Sequence, residues 1–171
     1  MLRKTLPVAV VVVGTVALLL VATTAAVTAD PQKVMQWKTM VGVPAGLTGA
    51  QSQAPLRGIN GGGIPWTLDD GRGTLSAKGH LEIEVEGLVL AAGANAGTNP
   101  SATFRGLVSC VNPDGTFTNV LTSPFPATTG PASAGGGNSE IEADVVLPST
   151  CIAPIIFVTS GTGSWFASTG F

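Results

Sequence analysis

His80, Glu82, Glu84 and Glu86 form the densest run of ionisable side chains in the sequence. They fall at every second position, so on a strand they share one face at intervals of roughly 6.5–7 Å. Three carboxylates in a line attract cations. Calcium, however, takes about six to eight oxygens converging from several directions, and a flat strand face supplies only one. Glycoside hydrolysis needs two carboxyl groups facing each other across a cleft, one of them held protonated, whereas these three stand side by side. The run therefore reads as a solvated strand face, and no metal ligand or catalytic residue is assigned to it.

The remaining reactive side chains are few. His80 is the only histidine and tyrosine is absent, which leaves little for general acid–base work. No Gly-x-Ser-x-Gly elbow occurs in the chain, so a serine triad built on His80 lacks its nucleophile context. Gly61-Gly62-Gly63 and Gly135-Gly136-Gly137 are not followed by Lys-Ser/Thr or by a helix, and they read as loops rather than phosphate cradles. No cofactor is implied. Cys110 and Cys151 are the only cysteines. In an oxidising compartment an even count reads as one disulfide, and a loop of this length is worth roughly 4 kcal/mol on the chain-entropy argument. The bond would join either neighbouring strands or two facing sheets. Trp66 and Trp165 are the candidate ligand contacts, because flat aromatic faces on a β-sandwich stack sugars. Their apolar neighbours, Ile64-Pro65 and Phe166, favour the alternative of packing in the core. Trp165, Phe166 and Phe171 of the last strand are likewise expected to pack.

Composition limits the partners. The chain has 171 residues, with 8 Lys and Arg against 10 Asp and Glu, and a sequence pI near 5.2. Nucleic acid is excluded as a partner, since phosphate contacts need clustered basic residues. The first 29 residues differ from the rest. Arg3 and Lys4 precede an uncharged run from Thr5 to Ala29, and Val27-Thr28-Ala29 places small residues before Asp30. That layout is a secretory signal peptide. An apolar run of about 20 residues is also long enough to cross a bilayer, so an uncleaved N-terminal membrane anchor is the alternative. Without the leader the chain keeps six basic and ten acidic groups.

Three segments follow: a signal peptide over 1–29, a flexible linker over 30–63 and a β domain over 64–171. The linker assignment rests on Gly, Ala, Gln, Ser and Pro, which bury little; a short helix over Pro31–Met40 is its only candidate element. Past residue 64 the period is two. Leu81, Ile83 and Val85 go inward while the glutamates between them go outward, the signature of a strand with one dry and one wet face. Residues 139–147 repeat the pattern, with Ile141 and Val145 inward. Phe104, Val108 and Cys110 set the inner parity of another strand, and Asn112-Pro113-Asp114-Gly115 closes it into a hairpin. Shorter strands are expected over 64–68, 73–78, 116–121, 155–159 and 165–168, with a turn at Asp69-Asp70-Gly71. About eight short strands make an all-β fold, an antiparallel sandwich of Ig-like or jelly-roll-like type, with a barrel as the alternative.

Gly71-Arg72-Gly73-Thr74-Leu75-Ser76, Leu81–Leu90, Phe104–Cys110, Pro148-Ser149-Thr150-Cys151-Ile152-Ala153-Pro154 and Ser164-Trp165-Phe166-Ala167-Ser168-Thr169-Gly170 together carry a resemblance. The domain over 64–171 resembles a group of small exported bacterial proteins of unassigned activity. The resemblance implies a secreted, disulfide-containing β domain and transfers no site residue. The expectation is an exported, non-enzymatic module, structural, adhesive or ligand-binding, at or near the bacterial cell surface. Its partner would be a cell-envelope component, a carbohydrate or another protein. It would touch membrane only through an uncleaved leader. The alternative is a carbohydrate-binding or carbohydrate-active module using Trp66 and Trp165.

Overall fold

The computed structural model describes residues 33–46 and 55–169. The leader over 1–29, its junction at Asp30, and Phe171 lie outside the described residues. Fourteen strands occur among those described: β1 (Lys33–Trp37), β2 (Met40–Gly42), β3 (Trp66–Thr67), β4 (Asp70–Ser76), β5 (His80–Glu86), β6 (Val89–Leu90), β7 (Thr98–Asn99), β8 (Thr103–Val111), β9 (Phe117–Leu121), β10 (Phe125–Pro126), β11 (Gly130–Pro131), β12 (Ser139–Asp144), β13 (Ile152–Thr159) and β14 (Trp165–Thr169). The only helical turn among them is a 3-10 turn, Ala132–Ala134.

The strands form an antiparallel sandwich. One sheet runs β1-β4-β5-β12. The other runs β10-β8-β13-β14-β2, with β9 also on β8. All eight strands anticipated beyond residue 64 are present, as β3, β4, β5, β8, β9, β12, β13 and β14. The rest are two- to five-residue pairings that carry too few side chains to show a period. Gly87, at φ +63, turns the chain off the first sheet, so that β6 leaves to pair with β3. The turn after β8 is closed by Gly115 at φ +83, whose N–H donates to the Asn112 carbonyl at 2.9 Å.

Alternation decides what is buried in the first sheet. Leu81, Ile83, Val85 and Ile141 are nearly inaccessible, and Val145 just beyond β12 is buried with them. Opposite them, a Cβ on Gly106 of β8 would stand 3.1 Å from both Ile83 Cδ1 and Leu81 Cδ2. In the second sheet β8 is buried on both faces: Leu107, Val108, Ser109 and Cys110 are all inside. Its outer face is held under the chain that precedes β3. There Arg57 donates from Nη1 to the Ser109 carbonyl (3.0 Å) and from Nη2 to the Ala153 carbonyl (2.6 Å), with its guanidinium 5.6 Å over the Phe117 ring. Cys110 and Cys151 are bonded, with Cα atoms 4.8 Å apart. Because Val111 pairs with Ile152, the bond joins neighbouring strands of one sheet rather than facing sheets.

The flexible-linker reading of 30–63 does not hold over the described residues 33–46 and 55–63. Residues 33–37 are a strand on β4, neither tether nor helix, and residues 40–42 are a strand on β14. Trp37, Met40, Val43 and Ile59 belong to the core. Gly61 and Gly62 are buried: Gly62 N–H donates to the Trp165 carbonyl at 2.8 Å, and a Cβ on Gly62 would stand 2.7 Å from the Phe166 ring. The composition misleads because these glycines mark close backbone approach rather than freedom.

Ile83 is buried between the sheets, whereas Val146 is 88% exposed. Ile83→Ala is expected to cost about 2–5 kcal/mol in chemical denaturation, and Val146→Ala to stay within about 0.5 kcal/mol.

Candidate functional site

The side chains able to do chemistry gather on the outer face of the first sheet. Antiparallel register fixes their neighbours, since directly opposed residues share a face. Gln36, Thr74, Glu82 and Glu142 make one cross-strand row; Arg72, Glu84 and Glu140 make the next. Asp70 lies opposite Glu86, and Asp144 opposite His80. Seven of the ten carboxylates of the sequence therefore share this face. Glu82 meets Glu142, and Glu84 meets Glu140, as like charges directly opposed, a destabilising arrangement unless screened or neutralised.

Two cationic centres offset the repulsion. Arg72 bonds Asp70 and Glu84 and lies 3.7 Å from Glu86. The hydrogen bond to Asp70, then the charges of Glu84 and Asp70, hold its guanidinium protonated above its ordinary range. His80 Nδ1 is 3.0 Å from Asp144 Oδ1, and Nε2 is 3.3 Å from Glu82 Oε1 and 3.8 Å from Glu142 Oε1. The bond to Asp144, then that to Glu82, raises the imidazole pKa above its ordinary 6.5. Thr74 Oγ1 donates to Glu82 Oε2 at 3.0 Å. Between the two rows runs a trough of about 570 Å³ lined by Arg72, Gly73, Thr74, Glu82, Glu84 and Glu140.

This geometry makes an acidic field over the sheet face. Both ring nitrogens of His80 face carboxylates, and the hydroxyl bonded to this residue, Ser76 Oγ, accepts from its backbone N–H at 3.0 Å rather than from the ring. The carboxylates point the same way from a pleated surface, and among the described residues no three His, Cys, Asp or Glu are grouped to hold a metal ion. Cys110 is consumed by the disulfide. The face attracts cationic groups diffusely and repels anionic polymers.

The outward direction of His80, Glu82, Glu84 and Glu86 agrees with the alternation read from the sequence. Arg72 as the hub of the face went unread, although Asp70-x-Arg72-x-Thr74 carries the same period as β5. The turn assigned to Asp69-Asp70-Gly71 conceals it, because Asp70 already pairs with Glu86 in β4.

Trp66 and Trp165 do not serve as ligand platforms. Trp66 is 6% exposed and Trp165 1%. The Trp66 ring stacks on Phe166 at 3.9 Å between centroids and meets the edge of Phe104 at 6.4 Å. Trp165 packs edge-on against Phe157 at 5.8 Å. Rings buried to this extent present no open face to a sugar. The carbohydrate reading loses the residues on which it rested.

Trp37 is buried as well, so all three indoles of the described residues are inside. Native emission is expected to be blue-shifted, resistant to acrylamide and unmoved by added polysaccharide; quenching at the free-indole rate would contradict the burial. His80 gives a pH signature. A pKa raised by folding contributes stability that is complete below 6.5 and disappears as pH rises through the folded-state value. The denaturation midpoint is therefore expected to fall over that window in the native chain and to lose this component in His80→Gln, while the single imidazole resonance titrates above 6.5 in NMR.

Comparison of the chain with protein-family models, with curated proteins and with solved structures finds no match in any of the three.

Proposed function

We propose that the chain is exported and acts as a non-enzymatic β-sandwich at or near a bacterial cell surface, as a structural, adhesive or ligand-binding module. The observation that carries this reading is the Cys110–Cys151 bond. Disulfides persist in oxidising compartments and are uncommon where cytosolic reductants keep thiols free. The leader composition supports the same direction: Arg3 and Lys4, an uncharged run to Ala29, and small residues at Val27-Thr28-Ala29.

The architecture suits such a role. Neighbouring strands are stapled covalently, Arg57 ties the carbonyls of Ser109 and Ala153, and the three tryptophan rings are committed to the core. The surface with a chemical preference is the acidic face around Arg72 and His80, which favours a basic contact over an anionic one.

Expression in a bacterial host followed by intact-mass measurement tests the reading. The expected species is extracytoplasmic, begins at Asp30 and weighs two hydrogens less than its reduced form. A membrane-bound species with residues 1–29 intact would select the anchored form. A cytoplasmic chain with both thiols free would overturn export.

A further inference from the structure

Residues 33–43 cover two strand edges on one side of the sandwich. β1 adds to the free edge of β4, and β2 to the free edge of β14, so both are terminal strands of their sheets. Only Lys38 and Thr39 lie between them. The segment places Trp37, Met40 and Val43 in the core at intervals of three, each no more than 7% exposed.

The rest of the domain carries a seat shaped for these side chains. Gly71 and Gly73 stand two residues apart on β4 and therefore share a face. A Cβ on Gly71 would be 2.8 Å from Met40 Cβ, and one on Gly73 would be 2.4 Å from Trp37 Cζ2 and 2.1 Å from the Glu82 carbonyl oxygen of the neighbouring β5. The missing side chains are thus the hollows that Trp37 and Met40 fill. Backbone bonds complete the seat: Val43 N–H donates to the Phe166 carbonyl at 2.8 Å, and Trp66 N–H donates to the Val43 carbonyl at 3.0 Å. Gly42 allows the close pass, because a Cβ there would meet the Trp66 carbonyl oxygen at 2.1 Å.

We propose that residues 33–43 are an exchangeable clasp, and that the seat formed by β4, β14, Gly71 and Gly73 accepts the same segment from a second copy of this chain. The occupant follows from the seat, since the sequence that fits it in one molecule is identical in the next. Exchanged and unexchanged clasps make the same contacts, so the connecting chain and the local concentration decide between them. Residues 44–54 connect the clasp to the segment anchored by Arg57; they carry no charge and reach about 36 Å when extended. Addition of an extended segment to a sheet edge is an established mode of recognition, with the backbone supplying affinity and alternate pockets supplying specificity. The proposal deepens the structural and adhesive reading above by naming the partner. Intact mass reports export separately, so failure here would leave that reading standing.

The test uses the chain 30–171 with a specific protease site inserted after Ala50. After cleavage, a dye-labelled peptide spanning residues 33–46 is added in excess, or the cut chain is refolded with it. Saturable uptake is expected, with loss of the resident clasp. A peptide carrying Trp37→Ala and Met40→Ala should bind at least tenfold more weakly, and Gly71→Ala in the seat, whose Cβ meets Met40, should weaken uptake likewise. A folded cut chain that takes up no peptide would overturn the proposal, as would an unfolded one that the peptide fails to restore. In parallel, uncut chains labelled with two dyes are unfolded, mixed and refolded at rising concentration. Energy transfer in a dimer fraction that grows with concentration is expected. Monomer alone at every concentration, even with peptide uptake, would overturn the assignment to a second copy.

Discussion

The tight contact between the two sheets at Gly106 is the constraint on which the inner faces depend. Ile83 and Leu81 reach to 3.1 Å from where a Cβ there would stand, so at this point β8 contributes no side chain and the side chains of β5 fill the space. Everything inward on the first sheet is then pressed against the second, and everything outward is wet. The partition of Leu81, Ile83 and Val85 from Glu82, Glu84 and Glu86 follows from that one contact surface and the period of a strand. The glycines at 71 and 73 repeat the device at the side of the sandwich, where they admit Trp37 and Met40 in place of their own side chains.

Legibility of the fold in the sequence tracks this partition. β5 and β12 are plain because each has one dry face and one charged face, which is the pattern that alternation reports. β8 and β13 can be placed but their outer faces cannot, because a strand covered on both sides loses its polar half-period; Leu107 and Phe157 are buried alongside Val108 and Ile156. The segment before residue 64 misleads for a different reason. The hollows that make Trp37 and Met40 core residues are on β4, more than thirty positions away, and no local window contains both the knob and its hole. The two tryptophans offered as ligand contacts fail similarly: Trp66 finds Phe166 and Phe104 only through the tertiary fold.

Of the candidate surface, the carboxylates are legible and their organisation is not. Seeing Glu140 and Glu142 opposite Glu84 and Glu82 requires the pairing of β12 with β5. That pairing gathers most of the acidity of the chain on one sheet, and Arg72 and His80 are the local answer to it. The charge has a structural use at the border, where β12 presents Glu140, Glu142 and Asp144. Ionised side chains on a terminal strand discourage another chain from extending the sheet.

The covalent bond has a mechanical meaning as well. The 41-position separation between Cys110 and Cys151 encloses β9, β10, β11 and β12, the last of which belongs to the opposite sheet. Under tension applied at the two ends of the chain, that enclosed stretch cannot lengthen, which withholds on the order of 140 Å of contour length. A pull from the N-terminal side would instead reach β1 first, an edge strand whose backbone bonds to β4 open in succession. The rim is therefore the first part of the fold to open under such a pull, and the stretch between the two cysteines the part that stays short.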